Sequence, residues 1–103
     1  MRKLFISQPI RDKTQDEIVR EREAAIAAAK TALSEDDIEV IDSYFTDYNP
    51  ENGCIPLKYL SKSLEKLADA DVAYFCKDWD TARGCKIEHQ CAVEYGIGII
   101  IYT

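Results

Sequence analysis

The sequence predicts an α/β fold of a single domain, a short parallel sheet of about four strands with helices on both faces. Three observations carry this. Short apolar runs, "KLFIS", "IEVIDSYF", "DVAYFC" and "IGIIIYT", alternate with longer stretches of helical periodicity, and each crossover between parallel strands needs such a helix. The run "DVAYFC" is apolar at every position after its aspartate, as in a strand covered on both sides. A chain of 103 residues suits one domain with one sizeable core.

The first strand is expected at Lys3 to Ser7, followed by the loop "QPIRDK". Thr14 stands three residues before Glu17, a capping-box spacing that starts a helix. Ile18, Ala25, Ile26, Ala29 and Leu33 recur at helical spacing and mark the face it buries. The "AAIAAAK" within it is strong helix former.

After the acidic turn "SEDD", the run "IEVIDSYF" is read as the second strand and "TDYNPENG" as a polar turn. A second amphipathic helix follows in "PLKYLSKSLEKLADA". Leu57, Leu60, Leu64 and Leu67 mark its buried stripe, and Pro56 lies near its start, where the missing donor costs nothing. The third strand is "DVAYFC", the loop "KDWDT" comes next, and a third helix runs to Gly96, which is expected to end it in a left-handed cap. "IGIIIYT" is the last strand.

Charge and composition narrow the function. Lys and Arg total 13 against 19 Asp and Glu, a formal charge of -6. Such a surface repels phosphate polymers, which argues against nucleic acid as a partner and leaves room for a small nucleotide in a local pocket. "MRKLFISQPIRDK" has only a short apolar run, so neither a signal peptide nor a membrane span is expected, and a cytoplasmic location follows by default. Cys54, Cys76, Cys85 and Cys91 show no CxxC spacing, and three lie in apolar segments as buried free thiols do. Cys85 and His89 are four apart, but no second pair of ligands accompanies them.

One carboxylate stands in an unexpected place. At about 100° per residue, Glu88 falls in the same arc of the third helix as Ile87, Cys91, Ala92 and Tyr95. Lys86, His89, Gln90 and Val93 point the other way, which assigns His89 to solvent. An ionised carboxylate aimed at a core needs a partner or an adjoining cavity. Either Glu88 staples loops together as a hydrogen-bonded buried group, or it serves a site.

In open parallel sheets a ligand lies beyond the carboxyl ends of the strands, where strand order reverses. Those ends are "SQPIRD", "SYFTDY" and "CKDWDTARG". No GxGxxG or GxxxxGK[ST] pattern is present. Arg11 is either a phosphate-binding side chain or a solvated turn residue, and Ser7 either a ligand contact or a strand end. Trp79 either stacks on a base or covers the sheet end. Arg83, a cation at a helix start against the dipole, faces Glu88, a ligand phosphate or Asp80.

The segments "LFISQPIR", "LADADVAYF" and "ARGCKIEHQCAVEYGI" resemble the nucleoside 2-deoxyribosyltransferase superfamily, closest to a small branch frequent in phage and prophage genomes. The likeness runs over nearly the whole chain, and Gly84, Glu88, Ala92, Tyr95 and Gly96 are its most specific part. Together with the alternation of elements it implies a Rossmann- or flavodoxin-like three-layer fold with strand order 2-1-3-4.

The resemblance further implies that Glu88 is the nucleophile toward the anomeric carbon of a deoxyribosyl group. By the same match Ser7, Gln8, Ile10 and Arg11 would line the sugar-phosphate site. Ser63 falls where the family has an aspartate, and the tyrosine that assists the glutamate is absent from "FIS", leaving Tyr44 or Tyr48 to substitute. Family members assemble as dimers or larger rings in which a neighbour completes each pocket, so a homo-oligomer is expected. The chemistry calls for no metal and no cofactor.

Two functions from different classes are expected from these residues. One is cleavage or transfer of the N-glycosidic bond of a deoxynucleoside or its 5'-monophosphate. The other is non-catalytic binding or sequestration of a nucleotide-derived small molecule in the same pocket.

Overall fold

The computed structural model describes residues 1–103. Its elements run β1 (Arg2–Ser7), α1 (Gln15–Leu33), β2 (Ile38–Val40), α2 (Ile55–Leu67), β3 (Val72–Phe75), a 3-10 turn (Trp79–Thr81), α3 (Arg83–Tyr95) and β4 (Gly98–Ile101). The four strands form one sheet of order β2-β1-β3-β4 with every pair parallel. This is the α/β fold and the strand order expected from the sequence. No helix is long and apolar enough to cross a membrane.

Alternation of side chains along the strands divides the core in two. Leu4, Ile6, Val72, Tyr74 and Cys76 face α1, where Ala25 and Ala29 let the helix sit close to the sheet. Phe5, Ala73 and Phe75 face the opposite side, with Leu67 of α2 and Ala92 of α3. One helix on one face and two on the other make the three layers.

The caps are those the residues call for. The Thr14 hydroxyl accepts from the Glu17 amide at 3.1 Å, and the Glu17 carboxylate accepts from the Thr14 amide at 3.3 Å, closing the capping box. Gly96 ends α3 at φ 72, the left-handed cap that a residue without Cβ takes without strain.

Three expectations need correction. The second strand stops at Val40 instead of running through Phe45. The Ile41 amide still donates to the Leu4 carbonyl at 2.8 Å, and the next rung would come from the Ser43 amide. The Ser43 hydroxyl takes that acceptor instead, donating to the Ile6 carbonyl at 3.0 Å, and the ladder ends. In α2, Leu57 is 58% exposed, because it precedes the turns that reach the sheet.

In α3 the buried side carries Cys85, Glu88 and Ala92, with His89 half-buried, while Ile87 and Tyr95 are exposed. The contact arc is thus rotated toward His89. The cause is the 3-10 turn, whose Trp79 ring stacks on His89 at 4.3 Å between centroids.

Candidate functional site

Glu88 projects from the second turn of α3 toward the carboxyl end of β1. There the chain runs from β1 to β2 on one side and later to β3 on the other, so β1 and β3 flank the reversal of strand order. The Ser7 hydroxyl, at the last position of β1, donates to Glu88 Oε1 at 2.6 Å. The Ser63 hydroxyl of α2 donates to Glu88 Oε2 at 2.5 Å. Each carboxylate oxygen has one hydroxyl donor, and the carboxylate ties together a strand and two helices. Glu88 is 6% exposed and Ser7 1%.

These donors are neutral, so no cation balances the carboxylate through them. Burial pushes the Glu88 pKa above the ordinary carboxylate value, and the Ser63 and Ser7 hydroxyls offset part of that by bonding the ionised form. Burial also pushes the neighbouring Cys85 thiol up to about 11, against a partial offset from Ser7. Cys76 rises to about 12 for the same first reason. Thiols held protonated in this way are poor nucleophiles and poor metal ligands. No group of three or more His, Cys, Asp or Glu side chains gathers as a metal site.

Of the residues named from the sequence, the structure unites Glu88, Ser7 and Ser63. Gln8 lies one residue further on but turns to the α1 side, where its Nε2 donates to the Ile18 carbonyl at 2.9 Å and to Glu21 Oε1 at 3.0 Å. Ile10 is 50% exposed, and Arg11 sits in an exposed turn with neither hydrogen bond nor ion pair. Tyr44 is half-buried beside Asp42, whose carboxylate accepts from its amide at 3.3 Å; no hydrogen bond joins Tyr44 or Tyr48 to Glu88. Trp79 packs on Phe75 at 5.5 Å and on His89, covering the sheet end. Arg83 is exposed and forms no ion pair with Asp80 or Glu88.

Sequence reasoning missed Arg22. It is half-buried on α1, its Nη1 3.4 Å from Gln8 Oε1 and its Nη2 donating to Ser43 Oγ at 3.1 Å. Burial pulls its pKa below the usual arginine value, with the Asp42 charge opposing. Lys13 and Glu21 complete the network through a 2.9 Å ion pair. The signal was in the sequence. Arg22 falls between Ile18 and Ala29 in the same helical arc, the criterion that singled out Glu88.

Two hollows lie elsewhere. One of about 630 Å³ runs along the outer side of α2 past Tyr48, Lys58 and Lys62. Another, about 360 Å³ and lined by hydrophobic residues, lies between the ends of α2 and α3 beside Leu64, Cys91 and Ile97. Neither is lined by Glu88, which is closed over by its two serines.

No protein-family model, curated protein or solved structure matches the chain.

Proposed function

We propose that the chain cleaves or transfers the N-glycosidic bond of a 2'-deoxynucleoside or its 5'-monophosphate, with Glu88 as nucleophile. The observation that carries the reading is the placement of Glu88: a buried carboxylate at the carboxyl end of the central strands, with a hydroxyl donor on each oxygen. The residues that resemble the deoxyribosyltransferases support it, since Glu88 and Ser7 meet in space although 81 positions separate them.

In this reading a Glu88 oxygen attacks C1', the bond from C1' to the base breaks, and its electron pair leaves with the base, which takes up a proton. Water or a second base then displaces the glycosyl ester and frees the carboxylate. The dry setting leaves the carboxylate poorly solvated, which favours its bonding to the oxocarbenium-like carbon. The sugar reaches it by displacing one serine hydroxyl. Only ionised Glu88 attacks, so activity falls on the acid side at a pH above the ordinary carboxylate range.

The second reading is retention of a nucleotide-derived small molecule without turnover. It is favoured by Ser63, a neutral residue that holds Glu88 Oε2 where the resembled enzymes carry an aspartate.

The test is incubation with a panel of deoxynucleosides and their monophosphates, beside Glu88→Gln, following free base by chromatography. Base release by the parent and a loss of about a thousandfold or more in the variant is expected, the usual scale for removing a nucleophile. No release from any substrate by folded parent protein overturns the enzymatic reading. Ligand retained without product then supports the second.

A further inference from the structure

We infer that the outer edge of β4 pairs with β4 of a second copy of the chain, in antiparallel register about Ile100, to form one continuous sheet of eight strands. The inference is independent of the glycosidic reading, and its readout is mass rather than base release.

The hydrogen-bond ladder says which groups are free. The Gly98 amide donates to the Asp71 carbonyl at 3.2 Å, and the Tyr102 amide to the Phe75 carbonyl at 2.9 Å. In a parallel pair alternate residues face the neighbour, so Gly98, Ile100 and Tyr102 address β3, and the amides and carbonyls of Ile99 and Ile101 point outward. Two residues in steps of two, each offering one donor and one acceptor, are complementary to themselves. About a two-fold axis at Ile100, Ile99 exchanges both bonds with Ile101 of the partner subunit, and Ile101 with Ile99 of the partner subunit, closing the interface as an isologous pair.

The side chains fit the same register. Tyr102, 48% exposed, comes opposite Gly98 of the partner subunit, where the missing side chain leaves room for its ring. Ile100 of each copy meets its own mate on the α1 side, and Ile99 and Ile101 pair on the other. Ile101 is 39% exposed and Tyr95, just before the strand, 82%.

Charge selects this edge over the rest of the surface. The chain carries a net -6, so two copies repel over most of their surfaces. The run from Tyr95 to Thr103 has no charged side chain and is the longest such run in the sequence. The opposite edge, β2, has three residues with Glu39 in the middle and Asp36 and Asp37 before it, the means by which proteins keep an edge unpaired. β4 has no charge, no proline and no bulge. With β4 and β3 between the dyad and β1, this pairing does not bring the second copy to Glu88, in contrast to the neighbour-completed pocket that the resemblance implies.

The experiment is sedimentation equilibrium from micromolar to high-micromolar concentration, with Ile101→Lys as the edge variant. A mass of two chains is expected for the parent, with the dissociation constant raised about tenfold or more in the variant, which must bury an ammonium in the paired edge. An unchanged far-UV spectrum would show the variant folded. Register is read by Ile100→Cys with the exposed Cys54 replaced by serine. Mild oxidation is expected to cross-link Ile100→Cys to itself, since a non-hydrogen-bonded antiparallel pair brings the Cβ atoms close. Glu39→Cys in the same background is expected not to cross-link. A monomeric parent at all concentrations overturns the inference, as does a dimer that ignores Ile101→Lys or cross-links through Glu39→Cys and not Ile100→Cys.

Discussion

At Glu88 the two serines supply direction without charge. Each hydroxyl donates to one oxygen, yet burial is the larger influence and leaves the folded-state pKa above the unfolded value. The folded chain therefore holds the proton to higher pH than the unfolded chain does. Stability falls as pH rises from the ordinary carboxylate range through the folded-state value, and the loss persists above it. Glu88→Gln removes this dependence while its amide can still bond both serine hydroxyls. The variant is expected to melt higher than the parent at neutral pH, the gap closing as the pH is lowered, as followed by calorimetry across the acid range. A parent melting curve that gains stability between weakly acidic and neutral pH, with Glu88→Gln below it throughout, would contradict this account. Arg22 is the opposite case, a half-buried cation held by Gln8 and Ser43, and its cost is spread over a network that anchors the segment after β2.

Among the elements, α1 carries the most local information. Nineteen residues lie between Thr14 and the left-handed Ser34 cap, with Asp16 and Glu17 in the first turn and Lys30 in the last, all matched to the helix dipole. Because α1 alone covers its face of the sheet, fraying at its start exposes Ile18, which is 4% exposed in the folded chain. Thr14→Ala is expected to cost about 0.5–2 kcal/mol, measured by urea denaturation. The capping box and the Ile18, Ala25, Ala29 stripe were legible because both depend on residues within a few positions of each other. The end of β2 was not. It is decided by the Ser43 hydroxyl taking the Ile6 carbonyl and by Arg22 holding that hydroxyl, contacts across 37 and 21 positions. The face of α3 was legible only in part for the same reason: periodicity identified Glu88 as inward, but His89 is covered by a tryptophan ten positions away on a separate turn.

At the scale of the molecule, the sheet has one protected edge and one unprotected edge. If β4 pairs as inferred, association contributes to stability, and the melting temperature of the parent rises with protein concentration by mass action. Scanning calorimetry over a hundredfold range of concentration is expected to show this rise in the parent and little of it in Ile101→Lys. The pairing also extends the two core layers across the dyad, where Ile99 and Ile100 are only partly buried in the single chain.

The order of strands and helices, the cap of α1, the proline at the start of α2, the Gly96 turn and the inward position of Glu88 follow from the sequence alone. Each rests on periodicity, propensity or backbone conformation, and these act over one or two helical turns. What holds Glu88, where β2 stops and which side of α3 is covered were decided by the tertiary structure. Those depend on donors and acceptors that meet only when distant segments pack, and a buried polar group takes whichever partner the fold brings within hydrogen-bond reach.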